Sequence, residues 1–295
     1  MSERVIENFF VCVGAQKAGT TWLARVLATH PDLFLTPVKE IHYFDHVRGI
    51  TEHLSDKKRQ SRYRKFHQRM WTQWHKFSDF RDQWPWYRDY MRNPINDDWY
   101  MSLFRHRGAQ RFAGEVTPEY AIVGREGFAH LRRLAPDARV LFIMRNPVTR
   151  AWSQVLHHCR SNGLDALRQS LDAISTLVDS ERFRALSDYP ATLDDIAATF
   201  PHEQVKTLFY EDIHQDRQKA IAQVCAFIGI SFDPAWFPEL GRRFNRSQDA
   251  ALPEPVRAHL RELYRDTALE VRARIGRVPE SWDREFATQP ATSGG

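Results

Sequence analysis

The sequence predicts an α/β protein in which a central, mainly parallel sheet is flanked by helices. Three observations predict it. Short apolar runs recur at Phe9–Val13, Arg139–Met144 and Val205–Tyr210, as suits strands buried on both faces. Stretches of helical periodicity alternate with them, which favours parallel pairing through crossover helices. The first run also passes into a helix through small residues, Gly14 to Thr20.

In chain order, FFVCV is the first strand, and Thr21 to Thr29 has helical periodicity up to His30-Pro31. Leu33 to Thr36 is a candidate second short strand. Residues 45–110 differ in character: they carry Trp71, Trp74, Trp84, Trp86 and Trp99 and the basic stretch Lys57 to Arg69. They show no strand pattern and read as helices and loops over the sheet. RVLFIM is the next strand. Pro147 then suits the first turn of a helix running to about Cys159. VKTLFY is a further strand. Gln215 to Ile228 is an amphipathic helix closed by Gly229, and Pro255 to Ile275 reads as one long final helix. The expected organisation is a single domain over 1–295, with 45–110 as an acceptor-side insertion and 288–295 as a flexible tail.

Composition narrows the function classes. Lys and Arg number 42 against 37 Asp and Glu, a formal charge of +5, and 42% of the residues are hydrophobic. This is globular rather than disordered usage. No apolar run reaches the roughly 18 residues of a membrane span. Three cysteines, Cys12, Cys159 and Cys225, offer neither a disulfide framework nor metal spacing. With no secretory pattern at the N-terminus, the expectation is a cytoplasmic protein. The basic pI, about 9.2, leans toward anionic partners.

Gly14-Ala15-Gln16-Lys17-Ala18-Gly19-Thr20-Thr21 lies between a buried strand and a helix. Unpaired N–H groups at a helix start carry positive partial charge, and small residues let an anion approach them. Lys17 adds a full charge; Thr20 and Thr21 add hydroxyls. The order is not that of a Walker A loop, because the lysine precedes the second glycine. The strand RVLFIM ends in Arg145 rather than in the acid with which a P-loop NTPase holds Mg²⁺. Its guanidinium is a fork suited to a dianion. Ser153, eight residues on and two helical turns in, is placed to meet the same anion. Taken alone, Arg145 has a second reading as a surface ion-pair partner, and Ser153 by itself reads first as a helix-packing serine.

Together these segments resemble sulfotransferases. Gln16-Lys17-Ala18-Gly19-Thr20-Thr21-Trp22-Leu23 resembles their 5′-phosphosulfate loop. Arg145-Asn146-Pro147-Val148-Thr149-Arg150-Ala151-Trp152-Ser153 resembles their 3′-phosphate motif. The resemblance runs from about Phe9 to Trp282 and leans to the bacterial and heparan-sulfate-type members. It implies a P-loop-like three-layer fold, 3′-phosphoadenosine 5′-phosphosulfate (PAPS) as donor, PAP as product, and no required metal. Lys17, Gly19, Thr20 and Thr21 then hold the 5′-phosphosulfate, with Gln16 and Ala18 of the same loop also at the cofactor and Trp22 packing beside the nucleotide; Arg145 and Ser153 hold the 3′-phosphate, and Tyr210 lies near the adenine. Lys39-Glu40-Ile41-His42-Tyr43-Phe44 resembles the segment that carries a catalytic glutamate, with His42 as the alternative base. Read as a strand, it puts Glu40 and His42 on one side. Gly114-Glu115-Val116-Thr117-Pro118-Glu119-Tyr120 resembles a segment lining the acceptor site. Phe44, Thr117, Pro118 and Tyr120 join Glu40 and His42 there by implication.

Three departures qualify the match. Val116 stands where heparan-type members usually have lysine. The cytosolic members' C-terminal Arg-Lys-Gly loop has no match, and Asn245-Arg246-Ser247 is the candidate for that end of the site. Their catalytic histidine has no counterpart either, which favours Glu40.

The implied chemistry is in-line sulfuryl transfer, with Lys17 on the departing oxygen and Glu40, tuned upward by burial, taking the acceptor's proton. The implied acceptor is a small molecule, lipid or carbohydrate. The aromatic and basic residues of 45–110 either stack on and charge-pair with it or form core and solvated surface. The alternatives are a P-loop-like nucleotide kinase, a non-catalytic nucleotide-binding protein and a nucleic-acid binder. His157-His158 is not read as a metal site, because neighbours on a helix point apart. Cys12 is read as core.

Overall fold

The computed structural model describes residues 5–72, 77–242 and 250–287. Five strands form one sheet: β1 (Phe9–Gly14), β2 (Leu33–Leu35), β3 (Phe112–Val116), β4 (Arg139–Met144) and β5 (Val205–Phe209). Their order is β2-β3-β1-β4-β5 and every pairing is parallel. β1 is buried along its whole length, as an unbroken Phe/Val run in a covered sheet requires.

The helices are α1 (Thr20–Leu27), α2 (Tyr43–Val47), α3 (Asp56–Thr72), α4 (Phe77–Tyr90), α5 (Asp97–Ser102), α6 (Gly124–Leu134), α7 (Pro147–Ser161), α8 (Leu171–Asp179), α9 (Glu181–Ala185), α10 (Tyr189–Thr199), α11 (Tyr210–Gln215), α12 (Arg217–Ile228), α13 (Glu254–Leu263), α14 (Arg265–Ile275) and α15 (Glu280–Phe286). The main core lies around the sheet. A smaller one joins α7, α8, α9 and α13 through Val148, Val155, Ile174, Val178, Phe183 and Leu260. No helix among the described residues is long and apolar enough to cross a membrane.

The structure adds one strand to the sequence reading and corrects one helix. β3 was not foreseen, because FAGEV is short and contains glycine and glutamate, both poor strand formers. Tertiary contact overrides this: β3 lies between β2 and β1, and a β-carbon on Gly114 would stand 2.3 Å from the Phe10 carbonyl oxygen. The long final helix is two helices that break at Tyr264 (φ −112°, ψ 11°). The break lets α13 pack on α7 and α8 while α14 packs on α10.

The chain visits β3 and then crosses over β1 to reach β4. Such a reversal leaves a crevice at the carboxyl ends of the strands, where α/β sheets place their ligands.

Candidate active site

A cleft of about 860 Å³ opens at that end of the sheet. Each strand feeds it from its carboxyl end. Gln16, Lys17, Gly19, Thr20, Thr21 and Trp22 come from the β1–α1 turn, Glu40 and His42 from the loop after β2, and Pro118 and Glu119 from the turn after β3. Arg145 follows β4 and Tyr210 follows β5.

The β1–α1 turn is shaped for close approach of an anion to backbone. Gly19 caps α1 at φ 83°, and a β-carbon there would crowd the Tyr210 ring at 3.2 Å. Ala18 is fully buried behind the loop, so its part is backbone only. Lys17 has φ 68°, in the left-handed region. Burial, then the charge of Arg160, lowers its ammonium to about 8. Trp22 Nε1 donates to the Leu240 carbonyl at 3.3 Å.

Arg145 ties the end of β4 to the β1–α1 turn. Its Nη1 donates to the Lys17 carbonyl at 2.9 Å and its Nε to Thr149 Oγ1 at 3.1 Å, while its guanidinium stacks over Tyr210 at 4.7 Å. Ser153, Leu156, His157 and Arg160 carry the cleft wall along one face of α7. The adjacent histidines do point apart: His157 faces the cleft and the His158 ring meets Phe183.

The segment 39–44 is not a strand. Glu40 (φ 64°) and His42 (φ 63°) are both left-handed, and α2 begins at Tyr43. The two side chains still meet, with Glu40 Oε2 3.6 Å from His42 Nε2, and His42 Nδ1 lies 3.0 Å from Asp45 Oδ2. Glu40 also pairs with Lys39. These partners reverse the expected tuning of Glu40. Burial raises its pKa, but His42 and Lys39 outweigh burial and hold it at about 2. Burial likewise opposes the charge on His42, but Asp45 and Glu40 carry the imidazole up to about 9.

Residues expected at the acceptor site divide into two layers. Pro118 lines the cleft, whereas Phe44, Thr117 and Tyr120 are buried and do not. Thr117 Oγ1 accepts from Ile41 N at 3.1 Å and Tyr120 Oη accepts from Tyr43 N at 3.0 Å. Buried Glu115 accepts from Thr117, Tyr120, Tyr100 and Ile41 N. This layer holds the Glu40–His42 loop from behind.

Among its described residues, segment 45–110 gives the cleft basic side chains and no tryptophan. Lys58 and Arg62 of α3 and the neighbouring His53 line the cleft. Trp86 and Trp99 are core, Trp71 and Trp84 are exposed away from the cleft, and Trp74 lies outside the described residues. Asn245 and Arg246 also lie outside the described residues. Cys12 is buried in β1, and burial pushes its thiol to about 12, away from nucleophilic use.

Sequence reasoning missed Arg160, His157, His53, His214, Arg217 and Arg242 as cleft residues, and named Glu119 only within the acceptor segment, without a role. The spacing 153, 157, 160 on a helix was the one legible signal among them.

Comparison with known proteins gives the family and the fold. The model of a family described as the sulfotransferase family matches residues 10–234. The human and mouse bifunctional heparan sulfate N-deacetylase/N-sulfotransferase 1 are each 24% identical over 318 residues, which cover 96% of this chain and 32% of the relative. The chain thus spans about a third of the length of these relatives. A sulfotransferase from Alicyclobacillus acidocaldarius matches at TM-score 0.65 and 24% identity, over 96% of this chain and 100% of that one. The sulfotransferase domain of the Synechococcus PCC 7002 olefin synthase matches at 0.55 and 18%, over 95% and 98%. These structures share the fold.

Proposed function

The chain belongs to the sulfotransferase family, and from that premise we propose that it transfers a sulfuryl group from PAPS to a hydroxyl or amine of a glycan, lipid or small-molecule acceptor, with Glu40 as general base. The observation that carries this reading is convergence. The Lys17 loop, Arg145 with Ser153, and Glu40 line one cleft although they lie far apart in the chain.

The cleft fits the donor's chemistry. Seven lysines and arginines line it against two carboxylates, and the two basic half-sites adjoin through the bond from Arg145 to the Lys17 carbonyl. Among the described residues, neither Lys17 nor Arg160 has a carboxylate within ion-pair distance. When bound, the donor supplies a sulfuryl group attached to a phosphate leaving oxygen. The start of α1 and the hydroxyls of Thr20 and Thr21 would hold that end, and Lys17 would offset charge on the departing oxygen. Arg145 and Ser153 would hold the 3′-phosphate, and Tyr210 would pack beside the base. Much of the rate enhancement then comes from position and electrostatics.

Glu40 and His42 divide the work at the acceptor. His42 keeps its own proton below about pH 9 and so does not serve as base at neutral pH. Glu40 is ionised there and takes the acceptor's proton as the new bond forms. Asp45 and Glu40 hold the imidazolium between them. Lys58 and Arg62 favour an acceptor that itself carries negative charge. A kinase would use an acid at the end of β4 for its metal, where this chain has Arg145.

The test is a transfer screen with labelled PAPS over sugars, lipids and phenols, following labelled product and PAP release. Acceptor-dependent PAP release is expected. Transfer from ATP with Mg²⁺, and none from PAPS, would reverse the reading.

A further inference from the structure

Arg217 has no part in the scheme above, yet it lines the cleft. It is the first residue of α12, where the helix dipole favours an acid over a base, so its place there needs a reason other than helix stability. Its contacts point to one. Nη1 donates to the carbonyls of Leu240, Gly241 and Arg242, at 3.3, 2.9 and 3.3 Å. Nη2 donates to His214 Nδ1 at 3.4 Å, since an arginine can only donate. The guanidinium carbon lies 5.8 Å from the centre of the Trp22 ring, in the loop-to-helix segment that also carries Lys17. Among the described residues, no carboxylate comes within ion-pair distance of Arg217.

Carbonyls orient a guanidinium without cancelling its charge, whereas a carboxylate does both. Arg145 is held in the same manner, by the Lys17 carbonyl and Thr149 Oγ1. The two arginines are joined through a pair of rings. Arg145 stacks on Tyr210, the Tyr210 and His214 rings meet edge-on at 4.0 Å, and His214 binds Arg217. Both rings belong to α11, one helical turn apart, so two oriented cations flank a short aromatic wall on the β5 side of the cleft. Cations fixed in this way and left unneutralised suit a group that carries two negative charges.

We propose that Arg217 binds the 3′-phosphate of the donor together with Arg145, and so sets the preference for a nucleotide phosphorylated at that position. The proposal rests on the donor reading of the cleft. A role confined to anchoring the turn at 240–242 predicts a different outcome, and the test separates the two.

Calorimetry with PAP and with adenosine 5′-monophosphate (AMP), which lacks the 3′-phosphate, reads that group alone. Wild type is expected to prefer PAP. Arg217→Gln keeps an amide donor for the carbonyls and removes the charge. It should lower the PAP-to-AMP affinity ratio about tenfold or more, as loss of a charge-assisted bond does, with AMP affinity held within about twofold. Arg217→Lys, which keeps the charge, should recover part of the ratio. An unchanged ratio, or equal weakening of both nucleotides, overturns the proposal and leaves Arg217 as an anchor of the turn. If Arg217→Gln does not fold, the wild type decides. PAP should then shield Arg217 from p-hydroxyphenylglyoxal more than AMP does, read by mass spectrometry, and equal shielding overturns the proposal. Arg145→Ala keeps the two failures apart. A ratio lowered by Arg145→Ala and untouched by Arg217→Gln overturns the role of Arg217 alone. A wild type that binds no PAP overturns the donor reading, and the proposal with it.

Discussion

Lys17, Glu40 and His42 share a backbone property: all three have φ between 63° and 68°. Such conformations cost about 1–3 kcal/mol each and persist only where neighbours over-determine them. For Glu40 and His42 the neighbours are Thr117 and Tyr120, which bind the backbone N–H groups of Ile41 and Tyr43. Replacing Lys17 with Ala is expected to cut transfer strongly at an unchanged melting temperature. In the wild type, activity should decline as pH rises through about 8 if, as proposed, the protonated amine serves the leaving oxygen; a pH–rate profile checks it. His42 gives a stability prediction. Its folded pKa of about 9 exceeds the ordinary 6.5, so its contribution is complete below 6.5 and disappears as pH rises through 9. Thermal melts across that window should show wild type losing more stability than His42→Gln.

At the scale of elements, α7 and β3 do different work. α7 presents Ser153, His157 and Arg160 on one face and follows directly from Arg145, so one rigid helix carries much of the anion wall. Arg145→Ala should weaken PAP binding by at least one charge-assisted bond, about 1.5–3 kcal/mol, measured by calorimetry. β3 needs Gly114 because of the Phe10 carbonyl. Gly114→Ala should destabilise the chain by at least about 1–3 kcal/mol in urea melts, the cost of overpacking a tight interior.

Across the whole molecule, a formal charge of only +5 is distributed unevenly, with seven basic side chains around one cleft. That focuses field on the site more than the overall charge would suggest. Lys58 and Arg62 belong to α3, beside the wall that carries Glu40, and their reversal isolates the acceptor contribution. Lys58→Glu with Arg62→Glu should raise the KM of an anionic acceptor several-fold while leaving PAP affinity within about twofold. The acceptor KM of the wild type should rise with salt. An acceptor KM indifferent to both changes would count against a negatively charged acceptor.

Periodicity and composition were enough for β1, β4, β5, α12 and the strand–turn–helix that holds Lys17, because each is a local signal: a buried apolar run, a cap, a small-residue turn. The strand-end positions of Lys17 and Arg145 and the resemblance of their segments led to the expectation that they and Ser153 meet, and all three line one cleft. Three-dimensional packing settled the rest. FAGEV is a strand only because its neighbours surround it, and the Tyr264 break exists because α13 and α14 have different partners. Thr117 and Tyr120 support the loop instead of facing the cleft. The low pKa of Glu40 comes from Lys39 and His42 crowding a carboxylate whose burial alone would have raised it. Local patterns encode what a segment prefers; which groups share a desolvated space, and hence their charge, depends on contacts between residues distant in the chain.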